Sequence, residues 1–201
     1  MAVTKISNSS IVNRNPKYVS FLAGNDAFIP TSFESIATVT VGSGGAANVE
    51  FTSIPSTYTH LQLRILADTN RTSATVASFN LQFNSDTGAN YSWHELYGNG
   101  SSAGSSASSN TTYCLLSRVG GSATNTFGAL IVDILDYANT NKYKTIRNLG
   151  GCDANGSGEI ALDSGLWRST SAISSMKFTI NYDGTLISQY SHFALYGIKS
   201  A

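Results

Sequence analysis

Three separated segments alternate apolar and polar residues with a period of two, the pattern that places one face of a β-strand in a core and the other in water. "THLQLRILADT" sets Leu61, Leu63, Ile65 and Ala67 against His60, Gln62 and Arg64. "SFNLQFN" sets Phe79, Leu81 and Phe83 against Asn80, Gln82 and Asn84, and "SMKFTINYD" sets Met176, Phe178, Ile180 and Tyr182 against Lys177, Thr179 and Asn181. No segment sustains the i, i+3, i+4, i+7 spacing of an amphipathic helix over three turns, and runs rich in Ser, Thr and Asn compete against helix.

Other segments extend the set to eight to ten strands. "SIATVTV" and "NVEFTSI" flank Gly42-Ser43-Gly44-Gly45 and read as a hairpin, because glycines accept the positive φ of a tight turn. "GALIVDILDY" and "NKYKTIRNLGG", around residues 138–141, read as another, and "TTYCLLSRV", "EIALDSGLW" and "SHFALYGIK" complete the set. Strands with one apolar face each must stack as two sheets or close a barrel. Long connections between some of them favour the first, so residues 32–201 are expected to form an all-β, antiparallel jelly-roll-like β-sandwich. "GNGSSAGSSASSNTT", residues 98–112, has almost nothing to bury and is expected to be a mobile surface loop.

The stretch "NPKYVSFLAGNDAFIP" sets the N-terminus apart. Tyr18, Val19, Phe21, Leu22, Phe28 and Ile29 are large apolar side chains in a segment bounded by Pro16 and Pro30 and broken by Gly24-Asn25-Asp26. Burying them does not by itself offset the entropy of ordering so many backbone residues, so backbone pairing with another surface is needed as well. Residues 1–31 are therefore expected to form an extended N-terminal docking arm, with those six side chains as its contacts; the alternative is that the segment packs on its own sandwich.

Lys and Arg number 12 and Asp and Glu number 12 among 201 residues, so the chain has no net field with which to gather nucleic acid or anionic lipid. No secretory h-region and no span of about 20 apolar residues is present, which predicts folding in a cytoplasm without membrane insertion. Cys114 and Cys152 are too few for a disulfide framework or a four-thiolate zinc site and are expected to pack as free thiols.

Motifs for catalysis are sparse. His60, His94 and His192 lie on or beside predicted strands, and neither G-x-S-x-G nor H-E-x-x-H occurs. Asp153, Asn155, Ser157 and Gly158 imitate the start of a calcium loop, but its twelfth position is Ser164 where a bidentate carboxylate is needed, so the segment reads as a turn. The chain is expected to be no enzyme and to carry no metal or cofactor. "NYSWHELYG" crowds Tyr91, Trp93, His94 and Tyr97, a candidate ligand-contact platform suited to stacking on sugars, with ordinary core or interface packing as its alternative.

"KYVSFLAGNDAFIPTSFESIATVTVGSGGAANVEFTSIPSTYTHLQLRILADT", "LQFNSDTGANYSWHELYGNGSSA", "ILDYANTNKYKTIRNL" and the ending "SHFALYGIK" together resemble a family of small virion structural proteins of tailed bacteriophages, cyanophages included. The resemblance spans nearly the whole chain and brings no catalytic residues with it. It implies a tail fibre or tip component, located in the virion, attached to other virion proteins of tail, baseplate or capsid through the arm, and mediating binding to a host surface glycan or protein. It also implies a homotrimer. The alternative it leaves open is a capsid decoration or cement protein that stabilises the head shell.

Overall fold

The computed structural model describes residues 32–123, 125–182 and 185–199, and the six arm residues Tyr18, Val19, Phe21, Leu22, Phe28 and Ile29 lie outside them. Twelve strands and no helix make up the described chain: β1 (Phe33–Thr40), β2 (Asn48–Phe51), β3 (His60–Ala67), β4 (Val76–Phe83), β5 (Tyr91–Gly98), β6 (Ala103–Thr111), β7 (Cys114–Gly120), β8 (Gly128–Leu135), β9 (Lys144–Asp153), β10 (Gly158–Trp167), β11 (Met176–Ile180) and β12 (His192–Ile198). An eight-stranded sheet has the order β1-β12-β3-β8-β9-β10-β5-β6, and a four-stranded sheet the order β2-β11-β4-β7. Every pairing is antiparallel.

Setting aside β5, β6, β9 and β10 leaves β1-β12-β3-β8 facing β2-β11-β4-β7, the double Greek-key order of a jelly roll. The remaining four strands are two hairpins, inserted between β4 and β7 and between β8 and β11, which prolong one sheet past the edge of the other. The long sheet thus extends past the short one: β7, the last strand of the short sheet, lies over β9 and β10, and the β5–β6 hairpin reaches beyond it.

Strand alternation fills the space between the sheets as the period-two segments predict. Leu61, Leu63, Ile65 and Ala67 of β3, Phe79, Leu81 and Phe83 of β4, and Met176, Phe178 and Ile180 of β11 are all buried. Phe178 meets Phe51 and Phe79 edge-on at 6.3 Å between ring centroids, and both Phe79 and Phe178 meet Phe193 of the opposite sheet at 5.5 Å. These rings tie the two sheets together at their most buried point.

Two expectations are corrected. β1 and β2 do not pair as a hairpin: β1 pairs β12 in the long sheet and β2 pairs β11 in the short one. The glycines between them do turn the chain, with φ of 89° at Gly44 and 76° at Gly45, but they carry it from one sheet to the other. Ala46 then pairs with Ile187, which replaces the hairpin bond. Residues 98–112 are not a loop. They form the β5–β6 turn and the edge strand β6, which pairs β5 through eight positions. Asn99 begins this turn by accepting the N–H groups of Ser101 (3.0 Å) and Ser102 (2.8 Å) on its side-chain oxygen, and Gly100 takes φ 85°. Backbone pairing orders a segment whose side chains bury little, and the Asn-Gly pair was the available signal.

Candidate functional site

In β5 the side chains of Tyr91, Trp93, Glu95 and Tyr97 point between the sheets and those of His94 and Leu96 point out, because successive strand residues face opposite ways. The four residues expected to form one platform are divided accordingly. Tyr91 is fully buried in a cluster of three rings, stacked at 6.3 Å from both Phe83 and Trp167, which lie 5.4 Å from each other. Its hydroxyl accepts the Phe83 N–H at 3.0 Å and donates to the Asp86 carbonyl at 3.2 Å. Trp93 is half-buried against the core, Tyr97 lies under the Arg118 guanidinium at 4.9 Å, and His94 is exposed on the other face.

Asp86, in the β4–β5 connection, anchors this aromatic cluster. Burial pushes its carboxyl up, but the indole of Trp167 (2.7 Å), the amide of Asn90 and the N–H of Gly88 (2.8 Å) all donate to it and together hold it below the ordinary carboxylate range. A carboxylate with a depressed folded-state value stabilises the fold above its unfolded-state value, and that stability is lost as pH falls through the folded one. Asp86→Asn is expected to cost roughly 1–2 kcal/mol at neutral pH, the difference between charge-assisted and neutral hydrogen bonds. The gap between wild type and variant in urea titrations is expected to close below pH 4; a gap that persists at acidic pH would exclude this role.

Under β7, the last strand of the short sheet, inward positions of the long sheet turn polar. Asn148 of β9, Asp163 of β10 and Glu95 of β5 are directly opposed neighbours, all buried, and Asn148 donates to Asp163. Arg118, from the last strand of the short sheet, reaches across to them. Its Nη1 lies 2.7 Å from Glu95 Oε1, and its Nε donates to Glu159. One guanidinium therefore faces two carboxylates, a geometry that its fork of donors suits and a lysine does not.

The outward positions of the same strands carry the apolar residues. Ile131, Leu149, Leu162 and Leu96 are successive cross-strand partners on β8, β9, β10 and β5, and are 45%, 51%, 47% and 57% exposed. Leu66, Leu135, Ile160 and Phe33, the last stacked on Tyr196 beside Arg64, share that face, so eight of the ten exposed large hydrophobic side chains stand on it. Beside the apolar row runs a polar one, Asp133, Arg147, Ser164 and His94, opposed in the same order. Leu96, Leu149, Ile160 and Leu162 line a shallow apolar depression of about 330 Å³. At the adjoining end of the strands, the β5–β6 and β9–β10 turns enclose an open cleft of about 550 Å³ whose lining includes Asn99, Asp153, Ser157, Glu159 and Ile160. Asn155 (φ 53°) and Gly156 (φ 101°), bracketed by the bond from Ala154 N–H to the Ser157 carbonyl, make the β9–β10 connection a hairpin turn of type I′, as the turn reading of this segment expects.

No family model, curated protein or solved structure matches the chain. The three histidines stand apart from one another in their contacts: His60 Nδ1 accepts the Asp136 N–H at 3.0 Å and His192 Nδ1 lies 3.1 Å from the Thr40 hydroxyl. Cys114 and Cys152 are buried free thiols, and burial pushes both up from the ordinary thiol range. Among the described residues no group of three or more His, Cys, Asp or Glu side chains is placed to hold a metal ion. The face that the sequence did not single out is the outer apolar row. Its signal was present as Leu96, Leu149, Ile160 and Leu162, but hydrophobic residues are ordinarily assigned to the inside.

Proposed function

We propose that this chain is a structural subunit of a tailed-phage particle, a tail fibre or tip component that is held by residues 1–31 and presents its sandwich to the host surface. One observation carries the assembly part of this reading: inward positions of β9, β10 and β5 hold polar side chains while eight large apolar ones on the outer face of the same sheet turn to solvent. Contiguous apolar surface of this kind marks a protein interaction site. The sequence resemblance to phage virion proteins supports the particle as the setting, and the jelly-roll architecture is one that viral shell and lectin domains share. The cleft between the two hairpin turns is the proposed host-contact site, because ligand-binding residues concentrate on turns held by a rigid scaffold.

The test has two parts. Purified protein is expected to compete with phage for host cells and lower the adsorption rate in a dose-dependent way, and antibodies to it are expected to label the tail in electron micrographs. Label confined to the head, with adsorption unchanged, would replace this reading with the decoration protein; label on neither would remove both.

A further inference from the structure

We infer that the outer face of the eight-stranded sheet is a self-association surface, covered by the same face of a second copy of this chain across a two-fold axis. The inference rests on the reading of this face as an assembly surface, adds the identity of what covers it, and puts a two-fold dimer in place of the homotrimer that the sequence resemblance implies.

The side-chain inversion supplies the first reason. Along β9, β10 and β5 the buried positions hold Asn148, Asp163 and Glu95 while Leu149, Leu162 and Leu96 are outside. An isolated sandwich has its lowest free energy with these exchanged, since burying charge is costly and burying a leucine is worth ~1.5–3 kcal/mol. The pattern fits a sheet that is interior on both faces.

Area and charge then select the occupant. The six strands from β3 to β6, about 4.8 Å apart and eight residues long at ~3.3 Å per residue, make a face of roughly 750 Å². That is close to the ~800 Å² that each partner of a stable complex covers. An apolar row bordered by polar residues is also the anatomy of an interface core with its rim. The rim holds both signs, Asp133 beside Arg147 and Arg64, so neither a strongly basic nor a strongly acidic partner is its complement. A ring built by successive rotations needs two different complementary faces, whereas a two-fold contact uses one face twice. Among the described residues the exposed apolar side chains gather on one face.

The rows specify the axis. A two-fold running parallel to the strands between β9 and β10 brings Leu149 against the partner's Leu162 and Ile131 against the partner's Leu96. The same operation brings Asp133 opposite the partner's His94 and Arg147 opposite the partner's Ser164. Two sheets meeting in this way pack about 10 Å apart with their side chains interleaved, as the two sheets within each sandwich do.

Sedimentation and light scattering on the full chain test the inference. The expected mass at micromolar concentration is twice 21.2 kDa. Leu149→Asp and Leu162→Asp, at half-exposed positions, are each expected to raise the dimer dissociation constant at least tenfold while circular dichroism and the melting transition of the monomer are retained. Should either aspartate variant fail to fold, Leu149→Ser is expected to give the same weakening to a lesser degree. Asp133→Arg and His94→Asp are each expected to weaken the dimer, and the double variant to recover it. A monomer at 100 µM, a trimeric mass, a dimer indifferent to Leu149 and Leu162, or a charge exchange that restores nothing would overturn the inference. A monomer that still blocks adsorption would overturn it while leaving the fibre or tip function standing, and a dimer that does not block adsorption would do the reverse.

Discussion

Phe178→Ala is expected to lower the free energy of unfolding by about 3–5 kcal/mol, the range for removing a buried ring and leaving a cavity. Phe178 sits on β11, in the second position of the short sheet, and its ring touches Phe51 and Phe79 of the flanking strands and Phe193 of the facing sheet. Three aromatic contacts are lost at once, and none of the neighbours is a flexible side chain that can collapse into the gap. The transition midpoint should fall by roughly 6–20 °C, given ~2–4 °C per kcal/mol for a domain of this size. Phe178→Leu keeps most of the volume and should cost far less. Equal losses in the two variants, or a loss below about 1 kcal/mol for Phe178→Ala, would show that this ring cluster does not join the sheets in the way its geometry implies.

Arg118→Ala is expected to cost a similar ~3–5 kcal/mol for a different reason. Its guanidinium faces Glu95, which is buried, and Glu159, and its removal leaves buried carboxylate charge without a counter-charge. The penalty comes from the uncompensated charge rather than from the strength of the pair itself, because forming such a pair requires desolvating both partners. Neutralising the partners should therefore recover stability: Arg118→Met combined with Glu95→Gln and Glu159→Gln is expected to lie closer to wild type than Arg118→Ala alone. Arg118→Lys retains charge without the planar fork, and should recover only part of the loss. Denaturant titrations of the four proteins decide the matter, and a triple variant less stable than the single one would exclude this account. Loss of Arg118 also removes the cation held 4.9 Å from the Tyr97 ring, a smaller contribution of ~0.5–1 kcal/mol.

Legibility in the sequence differs strand by strand. β3, β4 and β11 were readable with both faces correctly assigned, because their apolar positions are large and their alternate positions polar. β10 was readable as a strand, but an apolar-in rule applied to "EIALDSGLW" turns it the wrong way: Ala161, Asp163 and Gly165 face inward and Ile160 and Leu162 outward. Gly165 is required at its position, since a Cβ there would come within 2.0 Å of Cys114 Sγ on the opposite sheet. Nothing local to "LDSGLW" announces that neighbour. β6 went unread because a strand made of Ser, Ala, Gly and Asn has no hydrophobic period, and only its partner β5 gives it order. Tyr91, Trp93, His94 and Tyr97 were read as a group from proximity in sequence, and strand alternation then separated them.

Alternation by itself determined that the body of this chain from residue 32 onward is built of β-strands, since a period of two is a property of neighbouring residues and needs no knowledge of the rest. Which strands pair beyond the β8–β9 hairpin, which face of β10 is inside, and that Arg118 meets Glu95 and Glu159 were decided by tertiary structure. Those outcomes depend on what a distant segment contributes: β7, the last strand of the short sheet, sets Arg118 as well as Leu116 against the long sheet, and the arginine meets Glu95 and Glu159 there. With the charges satisfied within, the leucines of β5, β9 and β10 are left facing out.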